Sequence, residues 1–224
     1  MREVIRQFVK ICAETFPIAE PIYEFGSFQA QLEYSNLRPF FPNKTYIGAD
    51  MREGPGVDEI LNLHNIDLPS NHAGTVLCFD TLEHVEYLRR AIEETHRILK
   101  PGGILIISSV FFFRIHDAPS DYWRFTPDSF RSLLKPFKSS FVGYCGDPFF
   151  PHTVVGIGFK GSKSKEIMIE FMRKFKDWEL EFRNPTGRWK GFLKRFIPPV
   201  LIPILSKINR KIFRDVDPRS LTNQ

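Results

Sequence analysis

A glycine closing one apolar run and an acid closing the next are the residues of this chain best suited to chemistry. Pro21-Ile22-Tyr23-Glu24-Phe25 leads into Gly26-Ser27-Phe28-Gln29, and Tyr46-Ile47-Gly48-Ala49 ends on Asp50, 24 positions after Gly26. A glycine after a first strand lets the backbone approach a ligand, and a carboxylate at the end of the next strand accepts hydrogen bonds from ribose hydroxyls. The pair points to a cofactor that carries a nucleoside. As a Gly-x-Gly-x-x-Gly turn the first segment is defective, so its assignment depends on the segments downstream.

Those residues need elements that hold them. In residues 2–16, Val4, Ile5, Phe8, Val9, Cys12 and Phe16 recur at helical spacing, which predicts an amphipathic helix. Pro17 and Pro21 end it. A short helix is expected over 29–34, a breaker at Pro39, Pro42 and Asn43, and a strand over 45–49. Residues 57–63 predict a short third strand, with Asn62 and His64 at its exit. Thr75-Val76-Leu77-Cys78-Phe79 is almost wholly apolar, as a strand covered on both faces should be. Asp80 closes it.

Val85, Leu88, Ala91, Ile92, Thr95, Ile98 and Leu99 then form a helical stripe, ended by Lys100-Pro101-Gly102-Gly103. A fifth buried strand is expected over 104–110. After a long loop, Thr126 should cap a helix beginning near Pro127. Residues 137–144 and 153–159 predict an antiparallel pair of strands. Alternating strands and helices predict an α/β fold, a doubly wound Rossmann-like sheet, mostly parallel with an antiparallel terminal strand, plus C-terminal helices.

Charge is segregated along the chain. Residues 1–159 carry 15 basic and 19 acidic side chains, net −4, whereas residues 160–214 carry 15 and 5, net +10. The basic character therefore belongs to the C-terminal part, and two domains are expected, 1–160 and a basic amphipathic extension over 161–224. Cys12, Cys78 and Cys145 fit neither zinc-ligand spacing nor a disulfide framework. No metal site is expected. The opening Met1-Arg2-Glu3-Val4-Ile5-Arg6 lacks an apolar h-region, and no apolar run approaches the ~18 residues of a membrane span. A cytoplasmic location is expected.

Five segments carry a specific resemblance: Glu24-Phe25-Gly26-Ser27, Ile47-Gly48-Ala49-Asp50, Phe79-Asp80-Thr81-Leu82-Glu83-His84-Val85, Leu99-Lys100-Pro101-Gly102-Gly103 and Asp121-Tyr122-Trp123-Arg124-Phe125-Thr126-Pro127. In this order, over roughly residues 21–160, they resemble the class I S-adenosylmethionine-dependent methyltransferases of the small-molecule, type 11-like group. The resemblance implies S-adenosyl-L-methionine as cofactor. It assigns Glu24 to the methionine end of the cofactor or to fixing the glycine loop, and Gly26 and Ser27 to the loop itself. Asp50 takes the ribose hydroxyls, with Met51 beside it. Asn62, Leu63 and His64 flank the adenine, an amide standing where many relatives have an acid. Asp80 and Thr81 lie where sulfonium and acceptor meet. Relatives usually have glycines where this chain has Phe28 and Ala30, so Phe28 either turns away or narrows the methionine pocket.

Methyl transfer from a sulfonium is an in-line displacement, so alignment of donor and acceptor is the main task. An oxygen acceptor also benefits from a base. His116 is the first candidate because imidazole titrates near neutrality, with His84 as a second. Asp121, Tyr122 and Arg124 are candidate substrate-binding residues in the same loop as Asp117. Arg124 suits a carboxylate or phosphate, with an ion pair to Asp121 or Asp128 as its competing role. His152 is a further histidine that could face the same pocket. The expected substrate is a small polar molecule, a sugar or glycan precursor by analogy with relatives that share the Tyr-Trp-Arg-Phe-Thr-Pro loop.

Residues 188–214 interleave basic and aromatic side chains around the proline-broken run Ile197–Leu205. Packing or homodimerisation is expected there, with peripheral contact to an anionic membrane as the competing role. No base-reading motif supports a nucleic-acid partner. Two rival functions compete with this reading: a non-catalytic binding or scaffold domain at a membrane surface, motivated by Phe28 and the basic tail, and a nicotinamide-dependent oxidoreductase, disfavoured by the incomplete glycine pattern.

Overall fold

Apolar runs without a polar face become the centre of the sheet. In the computed structural model, which describes residues 1–29, 35–116 and 120–183, seven strands form one sheet. They are β1 (Ile22–Phe25), β2 (Tyr46–Asp50), β3 (Glu59–Ile60), β4 (Ala73–Phe79), β5 (Leu99–Val110), β6 (Ser139–Gly146) and β7 (Pro151–Phe159), in the order β3-β2-β1-β4-β5-β7-β6. The first five strands pair in parallel, and β7 runs antiparallel to both β5 and β6. The order reverses between β1 and β4. In doubly wound sheets a crevice opens at that switch, outside the carboxyl ends of the strands.

Alternation along each strand sends side chains to two cores. Tyr23, Phe25, Val76, Cys78, Leu105 and Ile107 pack with Ala91, Ile92 and Ile98 of α2 (Leu88–Ile98) and with Phe130 and Leu133 of α3 (Pro127–Leu133). Ile22, Leu77, Phe79, Ile104 and Ile106 face α1 (Glu3–Thr15) and α4 (Lys165–Phe182) on the other side. The ring of Phe8 lies 6.5 Å from Phe171 and 5.4 Å from Trp178, and Trp178 Nε1 donates to the Val4 carbonyl at 2.8 Å. The compact unit therefore runs from Met1 to Arg183, and α4 belongs to it, although charge alone had grouped these residues with the extension. Residues 188–214, with the expected membrane or dimer contacts, lie outside the described residues. So do 30–34, where a short helix was expected.

Three boundaries differ from expectation, each for a local reason. The helix predicted from Val85 begins at Leu88, after a 3-10 turn over Leu82–His84. There the Val85 carbonyl accepts from Trp123 Nε1 at 2.9 Å and the Tyr87 amide donates to His64 Nε2 at 3.1 Å. Residues 99–103, expected as a helix stop, already belong to β5. Lys160 N–H donates to the Gly103 carbonyl at 2.9 Å and Gly102 N–H to the Lys160 carbonyl at 3.2 Å, so this segment is held as an extended ribbon. The third strand shrinks to two residues because Asn62 Oδ1 accepts the His64 amide at 2.9 Å and turns the chain.

Candidate active site

The β1–β2 and β1–β4 registers bring Phe25 level with Ala49 and Cys78. Gly26, Asp50 and Asp80 thus leave the sheet side by side. Gly26 has φ +80°, and its amide donates to the Ala49 carbonyl at 2.9 Å. A Cβ on Gly26 would sit 2.0 Å from Thr81 Oγ1, so only glycine lets the turn lie against the loop after β4. Beyond this contact opens a cleft of about 490 Å³ lined by Phe25, Gly26, Phe28, the 50–52 segment, the 61–64 segment, Asp80, Thr81, His84 and Val85. That volume falls within the ~300–1,000 Å³ of small-ligand and cofactor pockets.

The structure gathers most of the predicted cofactor residues around this cleft. Asp50 Oδ1 accepts from the Arg52 amide at 3.0 Å and from Arg52 Nε at 3.3 Å. Met51 is exposed at the rim, Leu63 is buried, and His64 packs edge-on against Tyr87 at 5.5 Å. The Asn62 carbonyl is engaged by the His64 amide, which orients its amide group. Phe28 is accommodated rather than obstructive. Its ring lies 4.6 Å under the Arg52 guanidinium and against Gly54, where a Cβ would come within 2.3 Å of Phe28 Cε2. The missing loop glycines are thus offset by a glycine in the facing loop.

Glu24 and Ser27 are not among the residues lining the cleft. Glu24 is buried and accepts the Tyr46 hydroxyl at 2.7 Å. Burial pushes its carboxyl up to about 7, opposed by that hydrogen bond and by Arg38. Ser27 packs behind the turn toward Gly48, its Oγ buried without a partner among the described residues.

At the β4 end, Asp80 adopts φ +46° and is clasped by Arg2, whose Nε and Nη2 donate to Oδ2 and Oδ1 at 2.9 and 2.7 Å. Ser108 Oγ adds a contact at 3.2 Å, and Arg2 Nη1 also donates to Thr153 Oγ1 at 2.6 Å. Arg2 sits at the N-cap of α1 and nothing in its sequence surroundings marked it; a lone basic residue ahead of a helix carries no signal. Glu83 is buried, its Oε2 accepting Ser109 Oγ at 2.6 Å, and desolvation followed by the charge of Asp80 raises its carboxyl to about 7.

His84 and His116 meet beside this carboxyl with ring centroids 4.8 Å apart. His84 Nδ1 lies 2.5 Å from the Ser120 carbonyl, and burial, partly offset by that contact, lowers its pKa. His116 Nδ1 lies 3.1 Å from Asp121 Oδ2, which also accepts the His116 amide at 2.8 Å. Arg124 makes a two-pronged ion pair with Asp121 and donates to the Arg114 carbonyl at 2.9 Å. That pair holds the Asp121 carboxyl well below the usual range. Arg124 and Asp121 therefore brace the loop that presents His116. Tyr122 has an exposed ring and a backbone amide bonded to the Glu83 carbonyl at 2.8 Å. Asp117 lies outside the described residues. His152 is turned from the cleft toward α4, its Nε2 3.1 Å from the Phe182 carbonyl. A second groove, of about 670 Å³, lies between α2 and α3 and the 123–125 segment.

A cleft at the strand-order switch, with a glycine turn on one wall and a strand-end acid on another, lies where doubly wound domains hold nucleoside-bearing cofactors. Comparison with known proteins narrows the class. The family model for the methyltransferase domain matches residues 49–107. A possible histamine N-methyltransferase from Thermotoga maritima, described as S-adenosylmethionine-dependent, is similar in fold, with 18% identity, TM-score 0.51 and coverage of 69% of this chain and 89% of that one. Such methyltransferases from Archaeoglobus fulgidus (12% identity, TM-score 0.54, 71% and 94%) and Mesorhizobium loti (14%, 0.51, 69% and 97%) share the fold as well. No curated protein matches. Residues 49–107 thus match a methyltransferase domain, and the fold is the one these S-adenosylmethionine-dependent methyltransferases share. The lining would suit S-adenosylmethionine, with the Asp50 carboxylate available to ribose hydroxyls, Leu63 an apolar wall and a bare backbone at Gly26. Among the described residues no helix is long and apolar enough to cross a membrane.

Proposed function

We propose that the protein transfers the methyl group of S-adenosylmethionine to a hydroxyl of a small polar molecule, of the sugar or glycan-precursor class. The observation that carries this is the imidazole pair of His84 and His116 beside the cleft end, where the methyl would be presented. With Nδ1 of His84 donating to the Ser120 carbonyl and Nδ1 of His116 to the Arg114 carbonyl, beside Asp121, the other ring nitrogen of the neutral form holds a lone pair for an acceptor proton. The acceptor oxygen then attacks the methyl carbon, and the carbon–sulfur electron pair stays on sulfur. Asp50 holds the ribose, Asn62, Leu63 and His64 the adenine, and Gly26 the backbone approach, while Asp80 and Thr81 border the reacting end. Tyr122, exposed at the mouth, contacts the acceptor.

Calorimetric titration with S-adenosylmethionine and S-adenosylhomocysteine, followed by product release over a panel of hydroxylated, amino and carboxyl acceptors, tests this. Binding of both ligands is expected, with Asp50→Ala weakening them about 100-fold, the worth of two hydrogen bonds to a charged group. Turnover confined to amino acceptors would reject the hydroxyl assignment, and wild-type affinity in Asp50→Ala would reject the ribose assignment.

A further inference from the structure

Three side chains from two loops converge beside the cleft: Glu83 and His84 after β4, and His116 from the loop after β5. One nitrogen or oxygen atom from each lies within 4.8 Å of the others. What distinguishes this cluster from a chance meeting is the support behind each member. Metal-bound histidine characteristically donates its second ring N–H to a carbonyl or carboxylate, which fixes the tautomer and the ring. His84 Nδ1 faces the Ser120 carbonyl at 2.5 Å, and His116 Nδ1 faces Asp121 Oδ2 at 3.1 Å. Asp121 is itself fixed by Arg124. Glu83 uses one carboxyl oxygen for Ser109 Oγ at 2.6 Å, leaving Oε1, and its main-chain carbonyl is anchored by the Tyr122 amide. Glu83 is a buried carboxyl whose hydrogen-bonding partner is a neutral hydroxyl, and a cation would compensate it.

We propose that Glu83, His84 and His116 form a site for one divalent transition ion. Two imidazoles and one carboxylate select an ion of the zinc, cobalt or iron(II) kind over magnesium or calcium, which favour oxygen-only shells. Bonds of ~2.0–2.2 Å require the three side chains to draw inward. Three protein ligands leave coordination positions toward the cleft. An acceptor hydroxyl bound there loses its proton to solvent more readily, and the imidazoles then serve as ligands instead of taking the proton. This role for the ion rests on the proposed function; binding of the ion does not.

The test is visible-absorption titration of the full chain with Co²⁺, with Zn²⁺ as competitor. One Co²⁺ per chain is expected, with d–d bands that Zn²⁺ abolishes. His116→Ala, on an accessible loop, and Glu83→Gln should each weaken binding at least tenfold, whereas His96→Ala, against Phe137 on the far side of α2, should leave it unchanged. Absence of cobalt bands at ~1 mM, or wild-type affinity in His84→Ala/His116→Ala, would overturn the site. Titrating the same preparations with S-adenosylhomocysteine separates the two ideas. Cofactor binding without cobalt removes the ion and leaves the function, and cobalt binding without cofactor does the reverse.

Discussion

Glu24→Gln offers a quantitative test of how the sheet holds its buried acid. Glu24 is buried in the α1-side layer, with the Tyr46 hydroxyl 2.7 Å from Oε2. Desolvation lifts its carboxyl from 4.5 to about 7. Below pH 4.5 both folded and unfolded chains carry the proton, and Glu24 takes nothing from stability. Between 4.5 and about 7 the folded chain keeps the proton and the unfolded chain releases it, so stability falls as pH rises, by ~1.4 kcal/mol per pH unit. Above about 7 the loss is complete, on the order of 3 kcal/mol. Glutamine does not ionise and escapes this loss. The stability difference, variant minus wild type, should therefore climb by ~3 kcal/mol from mildly acidic to mildly alkaline pH, whatever constant offset the amide introduces. Urea unfolding monitored by circular dichroism, without cofactor, reads it directly. A difference that stays flat over that window would show that Glu24 is ionised in the folded chain, and the account of its burial would fail.

Gly26→Ala should cost about 2 kcal/mol or more, since φ +80° strains an L-residue and the new Cβ meets Thr81 Oγ1 at 2.0 Å; Thr81→Ala in the same chain should recover only the clash, and an undiminished unfolding midpoint in the single variant would refute the close contact. Arg2→Met uncovers the charge of Asp80, which favours a cationic sulfonium over a neutral thioether. The affinity ratio of S-adenosylmethionine to S-adenosylhomocysteine should rise about fivefold, ~1 kcal/mol for a partly screened charge, and an unchanged ratio by calorimetry would place Asp80 away from the sulfur. Asp121→Asn releases both Arg124 and His116, so trypsin should cut at Arg114 and Arg124 several-fold faster; cleavage at the wild-type rate would show that the ion pair does not brace the loop.

The strands that carry the cleft were legible because burial on both faces leaves a continuous apolar run, as in residues 75–79, and because Gly26 and Asp50 are residue types with few other uses at strand ends. The two-residue β3 and the start of β5 at Leu99 were not: the first is set by a side-chain turn, Asn62 to His64, and the second by a pairing with a distant residue, Gly103 to Lys160. Phe28 reads in the sequence as an obstacle, but Gly54, in the facing loop, vacates the space its ring fills. Arg124 reads in sequence as a ligand for substrate or as the partner of an acid, and its pair with Asp121 is formed. Pairings of this sort leave no periodic trace in a sequence. The meeting of Glu83 and His84 with His116 is invisible for the same reason: no metal-ligand spacing announces it.

The clasp of Arg2 on Asp80 has a bearing on biosynthesis. Arg2 bonds partners 78 and 151 positions downstream, Asp80 and Thr153. Strands emerge from the ribosome in chain order, and domains generally fold as units during synthesis. A nascent chain that has delivered β1, β2 and β4 holds the glycine turn, Asp50 and Asp80, yet Arg2 lacks its Thr153 partner until β7 follows. The ion pair can form once β4 is in place, whereas the full clasp waits for β7, so this link between the first residues and the antiparallel end of the sheet is among the last features completed.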